Sequence, residues 1–171
     1  MRVIAEQNGS LILFCDMNKA LIFKNLIEEI TRNLQAALTA AQNTYDIATH
    51  EDNKAENKYD TRGLEASYLA GAQAERVRDL KETLTVITNI PFKKFNGDDK
   101  IAMTALVEIQ TGEKVNWVLV LPKGGGQNVN FQEQNIKVIT PESPLGQLLI
   151  GKKNGDEFTL NSKEYCIVGI F

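Results

Sequence analysis

Residues 17–88 favour two long helices over any other structure, and this constrains the fold more than any other feature of the chain. The segment contains no proline and is rich in Ala, Leu, Glu, Gln and Arg, which favour helix. Apolar side chains recur at spacings of three and four, interrupted by a polar link from about His50 to Asp60. The first stripe holds Phe23, Ile27, Ile30, Leu34, Leu38 or Ala37, Ala41, Tyr45 and Ala48, and the second holds Leu64, Tyr68, Ala72, Val77, Leu80 and Leu84.

Neither narrow stripe can face water alone, so the two helices are predicted to pair as an antiparallel hairpin. Roughly 30 residues per helix give a rod about 45 Å long. Alanines dominate the predicted seam toward the link, which indicates a slender far end suited to reach. These alanines are Ala36, Ala37, Ala40, Ala41, Ala48, Ala66, Ala70, Ala72 and Ala74.

After Pro91 the apolar period changes to two, which predicts strands. Residues 101–109 and 115–121 form a predicted hairpin, followed by a loop over 122–128 and a strand over 136–139. Ser143 is the predicted N-cap of a short helix that reaches Ile150, with Pro144 at its first position. Strands over 158–160 and 165–171 complete an α+β domain with a mainly antiparallel sheet.

Three segments follow from these patterns: residues 1–16, a helical domain over 17–90 and a β-rich domain over 91–171. The apolar run from Ser10 to Cys15 is too short to span a membrane and lacks a signal-peptide cleavage site. Residues 1–16 are expected to be either a weakly structured leader or a short strand docked on the rest. Cys15 and Cys166 are far apart, which fits a reducing cytoplasm rather than a disulfide or zinc site.

The charge balance argues for a protein partner. The chain has 19 basic and 22 acidic residues, for a net charge of −3. Independent DNA binding needs a concentrated basic face, so DNA is not expected as a partner. A membrane partner is not expected either.

Two other motifs are rejected. Residues 146–153 fit most of a phosphate-binding loop but lack its Ser or Thr, and three apolar residues fill the loop. Residues 124–126 are three glycines interpreted as a flexible loop without the strand–helix context of a nucleotide site.

The segment from Ile139 to Glu157, which reads ITPESPLGQLLIGKKNGDE, resembles the C-terminal signature of the GreA/GreB transcript-elongation factors. In that family a Ser-Pro pair opens a short helix, and Gly-Lys and Gly-Asp turns follow. The resemblance implies an FKBP-like domain that docks on bacterial RNA polymerase core near the rim of its secondary channel. The implied docking edge is Glu142, Ser143, Pro144 and Leu145.

The polar link between the helices also resembles this family, whose hairpin tip reads Gly-Asp-x-Ser-Glu-Asn-x-Glu-Tyr. Here residues 51–60 read EDNKAENKYD, and the spacing from Asp52 to Glu56 is four where the family has three. The resemblance implies that Asp52 and Glu56, with Asp60 and Glu51 behind them, donate ligands to Mg²⁺ shared with the polymerase. The polymerase would remain the enzyme, and the nascent RNA 3′ end would be approached only indirectly.

Three functions are compatible with these sequence features. The first is a factor that stimulates transcript cleavage in backtracked polymerase. The second is a channel-binding regulator or inhibitor that does not support cleavage. The third is an FKBP-like prolyl isomerase or chaperone with a helical arm.

Overall fold

The computed structural model describes residues 18–49 and 62–171, which contain three helices and six strands. The helices are α1 (Lys19–Thr49), α2 (Arg62–Asn89) and α3 (Pro144–Leu149). The strands are β1 (Leu106–Thr111), β2 (Lys114–Val120), β3 (Asn128–Phe131), β4 (Gln134–Ile139), β5 (Glu157–Leu160) and β6 (Lys163–Ile170). Within the two described ranges, no helix has the length and apolar character needed to cross a membrane.

The six strands form one sheet in the order β3-β4-β2-β1-β6-β5. Four of its five neighbouring pairs are antiparallel, and only β2 and β4 run parallel, with Trp117 beside Ile136 and Val120 beside Ile139. The predicted fold class is therefore confirmed. It is a helical hairpin followed by a mainly antiparallel β domain with one short helix.

Local chemistry explains where the two long helices begin and end. The side chain of Asn18 caps α1 by accepting a hydrogen bond from the backbone N–H of Leu21 at 3.2 Å. α2 ends at Asn89, two residues before Pro91, because the residue before a proline disfavours helical backbone. The two helices pack against each other along the chain as predicted.

One apolar cluster joins the base of the hairpin to one face of the sheet. It includes Ile22, Leu26 and Ile30 of α1, Leu80 and Ile87 of α2, and buried side chains from β1 to β4. The sheet residues are Leu106, Trp117, Leu119, Leu121, Val129, Phe131, Ile136 and Val138. This cluster crosses the predicted boundary near Pro91, and the boundary itself stays a prediction.

The opposite face of the sheet has its own core. This second cluster packs Leu149 of α3 and Ile101 against side chains from β1, β2, β4, β5 and β6. Neighbouring positions along β1, β2 and β4 supply both clusters, as Val118 and Leu119 of β2 illustrate.

The buried stripe of α1 is wider at its base than the sequence pattern predicts. Ile22 and Leu26 are fully buried alongside Phe23 and Ile30, because the sheet covers a side of α1 that α2 does not reach. Toward the far end the predicted stripes are wrong in detail. Tyr45 is 60% exposed and Tyr68 is 72% exposed. The predicted stripe residues Leu38, Leu64 and Ala72 and the predicted seam residues Ala36 and Ala74 are also exposed.

Two predictions about strands need correction. Residues 101–105 are not strand, since the chain turns at Thr104, whose φ of 67° breaks an extended run. β3 lies partly within the predicted loop and was missed because its alternation rests on only Val129 and Phe131 among polar neighbours. The predictions for residues 1–16 lie outside the described residues.

The shared core predicts that Leu→Ala substitutions at two positions of α1 lower the stability by different amounts. Leu26→Ala should lower the free energy of unfolding by about 2–5 kcal/mol, because it leaves a cavity between the helices and the sheet. Leu38→Ala on the same helix should cost less than about 1 kcal/mol, because Leu38 is 36% exposed. Urea denaturation followed by circular dichroism compares them, and equal losses would contradict the shared core.

The environment of Lys19 predicts that the folding stability depends on pH. Its ammonium donates to the carbonyls of Lys93 at 2.9 Å and Phe171 at 3.1 Å, beside the Phe95 ring. Burial lowers the pKa of Lys19 from 10.5 to about 8. Between those values the unfolded chain binds the proton more strongly, so folding stability should rise with pH relative to Lys19→Met. Denaturation of both proteins from pH 7 to 10.5 measures this, and a relative loss of stability would contradict it.

Candidate functional site

The docking edge, residues 142–145, is held in one conformation by hydrogen bonds around Ser143. Its hydroxyl donates to the carbonyl of Thr140 at 2.7 Å and accepts from the backbone N–H of Gly146 at 3.1 Å. Pro144 occupies the first turn, as predicted. Ser143 is therefore a structural N-cap, and it leaves Glu142 and Pro144 exposed beside it.

Gly146 fixes how closely α3 approaches the preceding segment. A Cβ at this position would lie 2.0 Å from the carbonyl oxygen of Thr140 and 3.0 Å from the Cα of Pro141. Both neighbours are backbone atoms that cannot rotate away. Only glycine therefore permits this turn, and the turn places the docking edge at the surface.

An open groove lies directly beside the docking edge. It encloses about 440 Å³ and is lined by Leu145, Leu160 and Tyr165 on one side, with Asn116, Asn135 and Lys137 among its polar residues. The Tyr165 ring stacks on Phe158 with centroids 5.2 Å apart, which fixes that wall. A rigid exposed edge beside a partly apolar groove is suited to contact with a protein surface.

The base of the hairpin is tied to the sheet by polar contacts as well as by the apolar cluster. Lys123, in the loop after β2, forms an ion pair with Glu82 of α2 and lies 4.0 Å from Asp79. Asn33 of α1 donates to the side-chain oxygen of Gln127 at 3.4 Å. Among the described residues 34–46 of α1, no hydrogen bond or ion pair reaches the β domain.

The far half of the hairpin therefore projects from the body. Between residues 34 and 49, Ala37 is the sole buried side chain among those described, and none is buried between 63 and 76. The stretch from Gln35 to Thr49 alone has a length of about 22 Å. We call residues 33–45 and 66–74 the shaft.

The shaft contains no charged residue, although the helices below it are highly charged. The base of α1 carries Lys19, Lys24, Glu28, Glu29 and Arg32, and residues 75–82 of α2 carry Glu75, Arg76, Arg78, Asp79, Lys81 and Glu82. Exposed amide, hydroxyl and methyl groups replace these charges along the shaft. A neutral shaft separates the charged base from the acidic link predicted as the tip.

The predicted tip residues Glu51, Asp52, Glu56 and Asp60 lie outside the described residues. Across residues 18–49 and 62–171, no group of three or more His, Cys, Asp or Glu side chains is arranged to hold a metal ion. Carboxylate oxygens are the donor type that Mg²⁺ prefers, so the composition of the link fits that ion.

The sequence pattern predicts the loop over 122–128 but not its contact with α2. Residues 124–126 were interpreted as flexible, but a Cβ on Gly124 would lie 3.1 Å from Thr83 and 3.4 Å from Ile87 of α2. Gly124 also has a φ of +84°, which favours glycine. No periodicity could reveal this contact, because it depends on a tertiary approach between distant segments.

Two glycine substitutions test the role of Gly146. Gly146→Ala should destabilise the protein by about 1–3 kcal/mol or more, because its Cβ collides with backbone. Gly71→Ala on the open face of α2 should instead stabilise it by about 0.5–1 kcal/mol, since nothing lies within 4 Å. Thermal unfolding measures both, and a neutral Gly146→Ala would refute the close approach.

Comparison with known proteins identifies the β-rich half directly. The family described as "Transcription elongation factor, GreA/GreB, C-term" matches residues 96–170. This range contains all six strands, α3 and the docking edge.

Two characterised relatives extend the likeness into the hairpin. Transcription elongation factor GreA of Syntrophus aciditrophicus is 30% identical over 144 residues, covering 82% of each chain. Transcription elongation factor GreA of Nitrosococcus oceani is 26% identical over 160 residues, covering 89% of this chain and 94% of the relative.

Solved structures of GreA factor homolog 1 (Gfh1) also match. The proteins of Thermus thermophilus and Thermus aquaticus are each 18% identical, with a TM-score of 0.35. They cover 85% and 86% of this chain, and 94% of each solved chain is matched. The assignment rests on the sequence matches rather than on these superpositions. The chain belongs to the GreA/GreB family of transcription elongation factors.

Proposed function

We propose that this chain binds the core of bacterial RNA polymerase and inserts its helical hairpin into the secondary channel, where it stimulates transcript cleavage in backtracked complexes. The single observation that carries the proposal is the geometry of the hairpin in a GreA/GreB family member. Its base is fixed to the sheet, and in its far half Ala37 is the sole buried side chain among the described residues 34–49 and 63–76.

The two ends of the molecule have separate tasks in this proposal. The docking edge anchors the β domain on the polymerase, since Glu142 and Pro144 are exposed and Ser143 holds their backbone. The hairpin then supplies reach at a fixed angle, because its base shares a core with the sheet. A rigid connection is needed to present a distant tip at a defined point.

In this proposal, the link between the two helices donates ligands to a metal ion. Asp52 and Glu56 would supply carboxylate oxygens to Mg²⁺ at the polymerase active site, with Asp60 and Glu51 as further donors. Mg²⁺ at such a site stabilises charge on the attacking and leaving oxygens during phosphodiester hydrolysis. This chain contributes position and negative charge, and the polymerase contributes the reaction.

The second candidate, a channel-binding regulator without cleavage activity, is favoured by one feature of the sequence. Asp52 and Glu56 are four residues apart rather than three, which changes how two carboxylates can converge on one ion. Binding is common to both candidates, so only a measurement of cleavage separates them.

The test combines a binding assay with a cleavage assay on stalled, backtracked polymerase. Wild-type protein should bind polymerase core and accelerate cleavage of the transcript. Asp52→Ala with Glu56→Ala should spare binding to within about threefold and remove most of the acceleration. A matched control, Glu28→Ala with Glu75→Ala, removes two exposed acids from the base of the hairpin and should preserve both properties.

A further variant separates anchoring from chemistry. Glu142→Lys should weaken binding by about tenfold while leaving cleavage intact at saturating protein. Binding without any accelerated cleavage by wild-type protein would favour the regulator. Absence of polymerase binding would refute both candidates.

A further inference from the structure

A second concave site lies where the hairpin meets the sheet, far from the link between the helices. We call it the junction cleft. It encloses about 420 Å³ between α2 and the glycine loop of residues 122–127. That volume lies within the range of small-molecule sites in proteins. The lining of the cleft includes Asn33, Arg76, Asp79, Lys123, Gly124 and Gly125.

Two cations, Arg76 and Lys123, line this cleft. Arg76 of α2 forms no ion pair with any described residue, whereas its neighbour Arg78 pairs with Glu75. Lys123, whose side chain is 38% exposed, pairs with Glu82 and lies 4.0 Å from Asp79. An arginine without a carboxylate partner at the edge of a cleft is a free, forked hydrogen-bond donor.

The glycine loop adds backbone donors to the same wall. The N–H groups of Gly126 and Gln127 are used within the fold, by the carbonyls of Val138 at 2.9 Å and Gly124 at 3.1 Å. Those of Gly124 and Gly125 donate to no acceptor among the described residues. Both glycines line the cleft, so their N–H groups are unpaired backbone donors at its wall.

Carboxylates are scarce by comparison. Asp79 contributes the sole carboxylate among the residues that line the cleft. It lies 4.0 Å from Lys123 with its side chain 71% exposed, so the pair is weak and easily exchanged. A cleft lined by two cations and two unpaired backbone N–H groups, with one carboxylate, suits a ligand that carries several anionic oxygens.

We propose that the junction cleft binds a small phosphorylated molecule of about mononucleotide size. Its phosphate oxygens accept hydrogen bonds from the Arg76 guanidinium and from the glycine-loop backbone. Asn33 also lines the cleft, and its amide, which donates to Gln127 at 3.4 Å, would contact the remainder of the ligand. Such a ligand bridges α2 and the sheet, so its binding stabilises the attachment of the hairpin.

This site does not depend on the proposed polymerase function, and its test uses the full chain alone. Isothermal titration calorimetry with guanosine diphosphate should show saturable binding, and guanosine without phosphate should show none. Arg76→Gln should weaken the binding of guanosine diphosphate by about tenfold, since it removes one charged hydrogen-bond donor. Arg78 lies two residues further along the same helix and pairs with Glu75. Arg78→Gln should therefore leave the affinity for guanosine diphosphate unchanged.

Three results would overturn the proposal. The first is no saturable binding of guanosine diphosphate at concentrations up to about 5 mM. The second is an equal loss of affinity in Arg76→Gln and Arg78→Gln, which would indicate unspecific attraction to a basic surface. The third is equal affinity for inorganic phosphate and guanosine diphosphate, which would exclude a ligand of mononucleotide size.

Discussion

The contact between the base of the hairpin and one face of the sheet determines how the rest of this molecule is arranged. Ile22, Leu26 and Ile30 of α1 are completely shielded from water, and the sheet supplies much of that cover. The ion pair between Lys123 and Glu82 lies at the edge of the same contact. If this contact were lost, the helices would still be able to pair, but they would have no fixed direction relative to the docking edge.

The periodicity of the sequence was enough to predict both long helices, their pairing and the mainly antiparallel sheet. These are the properties that repeated apolar spacing determines locally. The pattern could not show that Ile22 and Leu26 are buried, because that depends on the sheet as a second partner. It also could not show that Tyr45 and Tyr68 are exposed, since a stripe predicts a face but not whether that face is covered.

Short motifs could be predicted only where a local interaction determines them. Ser143 and Pro144 predicted the start of α3 correctly, because capping is a local interaction within one turn. Gly146 and Gly124 owe their identity to the close approach of Thr140 and Thr83, which no local pattern records. The roles of Asp52 and Glu56 stay predictions that rest on the resemblance to the GreA/GreB factors.

The distribution of charge gives the hairpin three zones with different physical properties. The base is charged and packed, the shaft is neutral and projecting, and the link between the helices is acidic. In the proposed function, a neutral shaft would avoid the like-charge repulsion and desolvation cost that charges bring to a confined passage.

Native-state hydrogen exchange most directly tests the claim that the base of the hairpin and the sheet form one unit. Amides of residues 22–30 and 77–87 should exchange with the same opening free energy as β2 and β4, because all of them share one core. Amides of the shaft should exchange through smaller openings, since almost none of its side chains is buried. Equal protection along the whole hairpin, with a separate value for the sheet, would contradict the account.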